Sequence, residues 1–190
     1  MVRRNIAIIG KMGAGKTTVT DYLADNHGYL KFVLSTPLKL AAVALWGESM
    51  KIDRGRGISL GKWVQHEYPD ALVDAFKRTE EIHKRHEETH GYAPQPRVVE
   101  APRYPSDYEG VAEMGYMFVE VWCPESQRVD RLQRAGHGRL NDVSQVSDET
   151  ETALDDRSRF PVEHIIHTNK PLDEVYADID AMLAKEDAKI

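Results

Sequence analysis

The chain has 190 residues, of which 41% are hydrophobic and 29% charged, and its formal net charge at pH 7 is −6. This length and apolar content predict one domain with a proper core. Lysines and arginines form no run long enough for a nucleic-acid groove, which argues against nucleic-acid polymers as partners and favours small substrates. The opening MVRRN leads directly into an apolar run, with no signal-peptide core and no membrane-spanning stretch, so we expect a cytoplasmic protein without a membrane partner. The single cysteine, Cys123, lies in an apolar stretch and is expected to be a reduced core residue.

The first apolar run, residues 5–9, predicts a strand, and the sequence GKMGAGKTT follows it over residues 10–18. This sequence matches the phosphate-loop pattern GxxxxGK[ST] at every position. Its glycines permit a tight turn whose backbone N–H groups converge on phosphate oxygens, and the next helix adds its positive N-terminal end. Lys16 is placed to reach the β- and γ-phosphates of a nucleotide, and the Thr17 hydroxyl to ligate Mg²⁺. The predicted nucleotide-binding residues are Lys11, Met12, Gly13, Ala14, Gly15, Lys16, Thr17 and Thr18.

Four further apolar runs predict strands over residues 30–34, 97–100, 116–122 and 162–166. Helical spacing of apolar residues separates or follows them, as in the two stripes Leu38, Ala41, Ala42, Leu45 and Leu172, Val175, Ile179, Met182, Leu183. Thr36 before Pro37 predicts a helix N-cap, and Gly28, Gly47 and Gly115 lie where helices should end. This alternation predicts an α/β fold, a five-stranded parallel sheet with helices on both faces, whose ligand lies beyond the carboxyl ends of the strands.

Two segments are longer than simple connections require. Residues 35–96 separate the second and third strands, which predicts a helical insertion able to hold a second substrate. Residues 134–151, RAGHGRLNDVSQVSDETE, are polar and contain two glycines, which is typical of a mobile flap over a site. We therefore expect a single domain over residues 1–190, with an acceptor-binding insertion at 35–96 and a lid at 134–151.

A phosphate loop serves GTPases, motor ATPases and kinases, so other motifs must decide between them. DYEG at 107–110 spells the GTPase fragment DxxG, but Ser106 and Glu109 predict a helix capping box there. TNK at 168–170 is similar to the guanine-reading NKxD, but Asp173 comes one residue too late, which disfavours a GTP-binding switch. A motor ATPase would have an aspartate at the end of an apolar strand. The apolar strand that ends in VVEA, residues 98–101, has only the glutamate Glu100 at that place.

Arginines favour the kinase interpretation. PESQRVDRLQRAGHGR places four of them on a helix and the segment after it, namely Arg128, Arg131, Arg134 and Arg139. Guanidinium groups there can stabilise a transferring phosphoryl group, although a solvated helix face is the alternative. We predict Lys16, Arg131, Arg134 and Arg139 as the catalytic residues. Lys39 and Arg103 follow the second and third strands, where cations can hold the phosphate of an acceptor. Trp63, in the segment between those strands, is either a stacking surface for a base or a core aromatic residue.

With these motifs in place, the chain resembles nucleoside monophosphate kinases of the phosphate-loop class, most closely the phage deoxynucleoside monophosphate kinases. The resemblance covers most of the chain and depends on GKMGAGKTT, FVLSTPLKLAAVALWG, VVEAPRYPSDYEG, ETALDD and IIHTNKPLDEVY. It implies transfer of the γ-phosphoryl group from ATP, with Mg²⁺, to a deoxynucleoside monophosphate. It also implies that Lys39 and Arg103 meet the acceptor phosphate and that Arg134 and Arg139 belong to the lid.

This chain departs from the family at two positions, since relatives often carry aspartates where it has Thr36 and Ala101. The metal site is therefore predicted at Thr17 and Glu100, with Asp107 as another candidate carboxylate, and the acceptor site at Ser35, Thr36, Lys39, Trp63 and Arg103. A strand that ends without a carboxylate disfavours dephospho-coenzyme A kinase, because a hydroxyl acceptor benefits from a general base. That enzyme and other small-molecule phosphate-loop kinases remain alternatives, and base preference, sugar preference and oligomeric state, a homodimer included, stay open.

Overall fold

The computed structural model describes residues 3–47, 54–100, 102–134, 153–156 and 158–189. Within them the strands are β1 (Ile6–Ile9), β2 (Leu30–Val33), β3 (Arg97–Glu100), β4 (Met117–Trp122) and β5 (His164–His167). The helices are α1 (Lys16–His27), α2 (Thr36–Trp46), α3 (Arg54–Glu67), α4 (Ala71–His90), α5 (Pro105–Glu113), α6 (Glu125–Arg134) and α7 (Leu172–Asp187), with a short 3-10 helix at Ala153–Asp155.

The strands form one parallel sheet in the order β2-β3-β1-β4-β5, which confirms the predicted fold class. β1 is central, and its Ile8 lies in register with Glu100 of β3 on one side and Val119 of β4 on the other. All four residues of β1 are buried, as expected for a parallel strand covered on both faces.

Two apolar cores cover the two faces of the sheet. One packs α1 and α7 against it and includes Val19, Leu23, Val175, Ile179 and the buried Cys123, as expected for that cysteine. The other packs α2, α4 and α5 and includes Leu38, Phe76, Val111 and Phe118. The described residues between β2 and β3 thus form the three helices α2, α3 and α4. No helix in the described ranges combines the length and apolar character needed to cross a bilayer.

The start of α2 differs from its sequence interpretation by one residue. The N-cap is Ser35, and Thr36 is the first residue of the helix. The Thr36 hydroxyl donates to the Val33 carbonyl at 2.7 Å, because the chain turns sharply at the end of β2. The apolar stripe of α2 is also shorter than predicted: Leu38 and Ala42 are buried, whereas all residues from 43 to 46, Leu45 included, are exposed.

The predicted capping box at Ser106 and Glu109 is wrong. Helix α5 begins at Pro105, so Ser106 lies inside it, and Asp107 provides the cap instead. The Ser106 hydroxyl accepts a hydrogen bond from the Gln65 amide of α3 at 2.7 Å, and this bond attaches the inserted helices to the start of α5.

Candidate active site

The phosphate loop connects β1 to α1 at the carboxyl edge of the sheet. Gly10 has a φ of +145°, and a Cβ at this position would lie 2.4 Å from the Val121 carbonyl oxygen of β4. Gly13 has a φ of +76°, and a Cβ there would lie 2.8 Å from the Arg128 carbonyl oxygen of α6. Both distances are too short for any side chain, so the glycines let the loop pack closely on β4 and α6.

Lys16 places its charge inside this loop. Its side chain is only 7% exposed, and its Nζ donates to the carbonyl oxygens of Gly10 at 2.7 Å and Lys11 at 3.0 Å. An ammonium group therefore lies within a tight turn at the N-terminus of α1, where backbone N–H groups and the helix dipole also favour an anion.

Thr17 and Glu100 meet at the same edge, because β1 and β3 are neighbours in the sheet. The Thr17 hydroxyl donates to Glu100 Oε1 at 3.2 Å, and the buried Thr20 hydroxyl lies 3.5 Å from Glu100 Oε2. Lys31 of β2 holds its Nζ 4.0 Å from Glu100 Oε2 while donating to Asp21. A hydroxyl and a carboxylate are the oxygen ligands that Mg²⁺ prefers.

Thr17 and Glu100 do not form a complete metal site by themselves. Among the described residues, no group of three or more His, Cys, Asp or Glu side chains is arranged to hold a metal ion. Thr17 and Glu100 would supply two oxygen ligands to such an ion, and phosphate oxygens and water would have to supply the others.

Two arginines connect helix α6 to the loop, Arg128 directly and Arg131 through Thr168. Arg128 is buried and donates from Nη1 to the Met12 carbonyl at 3.0 Å. Arg131 donates from Nη1 to the Thr168 hydroxyl at 3.1 Å and from Nη2 to the Thr168 carbonyl. The Arg134 side chain, in contrast, is 82% exposed and lies 3.8 Å from Asp130.

Arg139 and the remainder of the predicted lid at 134–151 lie outside the described residues, apart from Arg134. Of the four predicted catalytic residues, the structure thus brings Lys16 and Arg131 to the phosphate loop and leaves Arg134 at the surface.

The flank of the loop that faces β4 contains a cavity of about 200 Å³. Lys11, Glu120 and Asp155 are among its lining residues, and Lys11 Nζ pairs with Asp155 Oδ2 at 2.7 Å. Glu120 is buried although it lies within the apolar strand β4. The sequence interpretation missed Glu120, because a single acid in a hydrophobic run gives no motif.

The predicted acceptor residues of β2 and α2 follow the strand beside Glu100. Val33 lies in register with Glu100, and the Leu34 N–H donates to the Glu100 carbonyl at 3.1 Å. Ser35 is the residue that follows this contact in the chain. Thr36 and Lys39 are exposed on the first turn of α2.

Arg103 is carried by a turn that Asp107 holds in place. Asp107 Oδ2 accepts hydrogen bonds from the backbone N–H groups of Arg103 at 3.1 Å and Tyr104 at 3.2 Å. Burial raises the pKa of the Asp107 carboxyl above its ordinary value, and the two N–H donors and the Arg103 charge oppose that rise. Of the two candidate carboxylates, Asp107 is thus bound to this turn, whereas Glu100 is hydrogen-bonded to Thr17.

Trp63 lies at the surface of the inserted helices. It is 56% exposed on α3, and its ring centroid is 6.3 Å from that of Tyr68. The alternative of a core aromatic therefore does not hold for Trp63, whereas a stacking role stays a prediction.

Comparison with known proteins identifies the family of the chain. A family model described as an AAA domain matches residues 6–151, which is most of the chain. The chain therefore belongs to this AAA domain family. A comparison with curated proteins found no match.

Solved structures share the fold at low sequence identity. A shikimate kinase from Acinetobacter baumannii in complex with shikimate is 18% identical with a TM-score of 0.54, over 97% of this chain and 95% of that one. A gluconokinase from Sinorhizobium meliloti 1021 is 22% identical with a TM-score of 0.55, over 96% and 93%. A shikimate kinase from Bacteroides thetaiotaomicron is 14% identical with a TM-score of 0.56, over 96% and 99%. The chain thus has the fold of small-molecule phosphate-loop kinases.

Proposed function

We propose that this AAA-domain protein is a kinase that transfers the γ-phosphoryl group of ATP, with Mg²⁺, to a deoxynucleoside monophosphate. One observation carries the proposal: the buried Lys16 ammonium, the Thr17 and Glu100 pair at 3.2 Å, and the turn that presents Arg103 all lie at the carboxyl edges of β1 and β3. Phosphoryl transfer needs positioning and charge neutralisation more than covalent chemistry, and these groups supply both.

The donor side is formed by the phosphate loop. Lys16 exchanges its carbonyl partners in the loop for phosphate oxygens, and the loop N–H groups hold the remaining charge. Thr17 and Glu100 would hold the magnesium ion, which supplies neutralisation of the phosphate charge. Glu100 is oriented for this by the Thr17 and Thr20 hydroxyls.

The acceptor side is inferred from charge. Arg103 and Lys39 are cations near the ends of β3 and β2, and a guanidinium group binds a monophosphate with charge-assisted hydrogen bonds. The end of β2 carries the hydroxyls of Ser35 and Thr36 but no carboxylate, and a monophosphate, which is already anionic, needs no general base. The resemblance to phage deoxynucleoside monophosphate kinases supports the same class of acceptor.

A hydroxyl acceptor is the second candidate, since the structural neighbours are, by their names, shikimate kinases and a gluconokinase. Glu100 is the carboxylate at this edge that could accept a proton from such a hydroxyl. The two candidates differ in whether the cation at Arg103 or the carboxylate at Glu100 faces the reacting group of the acceptor.

A panel of acceptors tests the proposal. The purified protein is incubated with ATP and Mg²⁺ and either deoxynucleoside or ribonucleoside monophosphates, dephospho-coenzyme A, shikimate or gluconate. ADP and the phosphorylated product are then measured by chromatography and mass spectrometry, with Lys16→Met as the inactive control. We expect a deoxynucleoside diphosphate as the main product. Product formed only from a hydroxyl acceptor would refute the acceptor assignment, and nucleotide hydrolysis without any transfer would refute the kinase.

Arg103→Ala gives the sharper test of the acceptor site. Loss of a charge-assisted contact of about 1.5–3 kcal/mol should raise the acceptor KM roughly tenfold or more, with the KM for ATP unchanged. Arg85→Ala on α4 is the matched control, because Arg85 is exposed and pairs with Glu81 on the same helix. An unchanged acceptor KM in Arg103→Ala would move the acceptor site elsewhere.

A further inference from the structure

We infer that Thr168 is a positioning residue, whose hydroxyl holds Arg131 of α6 against the phosphate loop. The inference rests on the donor half of the proposed function, namely that this loop binds a nucleotide. It does not depend on which acceptor is used.

Thr168 follows β5 directly and is 6% exposed. Its hydroxyl donates to the Ala14 carbonyl of the loop at 2.6 Å and accepts from Arg131 Nη1 at 3.1 Å. Its carbonyl accepts from Arg131 Nη2, and its N–H donates to the Trp122 carbonyl at 3.0 Å. A hydroxyl has one proton to donate and lone pairs to accept, so it serves the loop and the arginine at the same time.

This arrangement puts a guanidinium group beside the N-terminus of α1. A Cβ on Gly15 would lie 3.6 Å from Arg131 Nη1 and 3.5 Å from Thr168 Cγ2, so both side chains lie beside the residue that precedes Lys16. Arg131 is a long side chain that loses rotamer freedom when ordered, and Thr168 provides the hydrogen bonds that offset this loss.

A second attachment of α6 does not use Thr168. Arg128, one turn earlier on the helix, donates straight to the Met12 carbonyl at 3.0 Å. Removal of the Thr168 hydroxyl should therefore leave α6 attached to the loop. It frees the Ala14 carbonyl and leaves Arg131 held by the Thr168 carbonyl without its bond to the hydroxyl. The effect expected is a change in nucleotide binding rather than a loss of the fold.

Binding of a fluorescent ADP, N-methylanthraniloyl-ADP with Mg²⁺, tests the inference without any acceptor. Four variants are compared with the wild type: Thr168→Val, which keeps the shape without the hydroxyl, Thr168→Ser, which keeps the hydroxyl, Arg131→Met, and the double variant Thr168→Val with Arg131→Met. Thermal unfolding of each variant is measured in parallel.

We expect Thr168→Val to weaken binding roughly five- to tenfold, as loss of its hydrogen bonds implies, and Thr168→Ser to stay within about twofold of the wild type. Arg131→Met should weaken binding by a similar factor, and the double variant should be at most about twofold weaker than Arg131→Met alone, because the two residues act as one unit.

Three results would overturn the inference: wild-type binding by Thr168→Val, an equal loss in Thr168→Ser, or losses that multiply in the double variant. If the first of these results came with a lower unfolding temperature, Thr168 would be a structural residue only. Failure of the proposed function is distinguishable, since in that case the wild type itself does not bind the ADP probe, or binds it and phosphorylates none of the proposed acceptors.

Discussion

Glu100→Gln separates the proposed metal role of this side chain from its structural contacts. The amide has the same size as the carboxylate. Its Oε1 can still accept the hydrogen bond that the Thr17 hydroxyl donates to Glu100 Oε1 at 3.2 Å in the wild type. What the substitution removes is a negative charge beside Thr17 and 4.0 Å from the Lys31 ammonium.

The structural cost of this change is small. Two unit charges 4.0 Å apart interact by about 1–4 kcal/mol for effective dielectric constants between about 80 and 20. The Lys31 and Glu100 side chains are 24% and 14% exposed, and Lys31 retains its partner Asp21, so the expected loss in unfolding free energy is about 1 kcal/mol or less.

The functional cost should be much larger. Loss of a group that holds or orients a metal typically costs about 10–100-fold in metal affinity or activity. We therefore expect a Mg²⁺ titration of ADP formation at saturating ATP to shift to higher concentration, or its maximum to fall, by this factor. Glu109→Gln, an exposed acid on α5, is the control. A Mg²⁺ dependence equal to that of the wild type in correctly folded Glu100→Gln would refute the metal assignment.

Three further outcomes are expected. Lys16→Met should abolish ADP formation, because the ammonium group that would neutralise the γ-phosphate is lost. Its unfolding temperature should stay within a few degrees, since the hydrogen bonds that the ammonium donates to the Gly10 and Lys11 carbonyls lie in the phosphate loop, outside the two apolar cores. Turnover near the wild-type rate would contradict this. Gly10→Ala should destabilise the protein by about 1–3 kcal/mol and weaken ATP binding, measured by urea unfolding and calorimetry, because its Cβ would meet the Val121 carbonyl at 2.4 Å. The hydrogen bond from Lys189, together with the other partners of Glu186, lowers the pKa of the Glu186 carboxyl from 4.5 to about 2. Glu186 should therefore stabilise the fold fully above pH 4.5 and progressively less as the pH falls towards 2. A difference in unfolding free energy between the wild type and Glu186→Gln that does not narrow below pH 4.5 would contradict this.

The sheet could be predicted from the sequence because buried parallel strands are short continuous apolar runs. β3 has the predicted bounds, and β1, β2, β4 and β5 differ from prediction by one or two residues at their ends. The phosphate loop could be predicted because its chemistry needs glycines and a lysine at fixed spacing. The contact of Thr17 with Glu100 was not fixed in the same way, because the order of the strands, which makes β1 and β3 neighbours, comes from the structure.

Contacts between distant segments could not be predicted in this way. Thr168 is 37 residues from Arg131 and 154 from Ala14, and no local pattern records such a pairing. The role of Asp107 was missed for a different reason: a capping carboxylate is recognisable only once the helix start is known, and the start of α5 was misplaced.

The arginines of α6 show why a role cannot be assigned from charge alone. Arg128, Arg131 and Arg134 share one amphipathic helix, but their side chains differ in burial and in hydrogen-bond partners. Arg128 is buried on a loop carbonyl, Arg131 is bound to Thr168, and Arg134 is almost fully exposed. A guanidinium group that is already ordered stabilises the bound nucleotide both before and during transfer, so it acts mainly on the affinity for nucleotide. A guanidinium group that arrives from solvent can instead act chiefly in the transition state. Loss of Arg131 should therefore appear first in nucleotide binding, and loss of Arg134 first in kcat, even though both carry the same charge on the same helix.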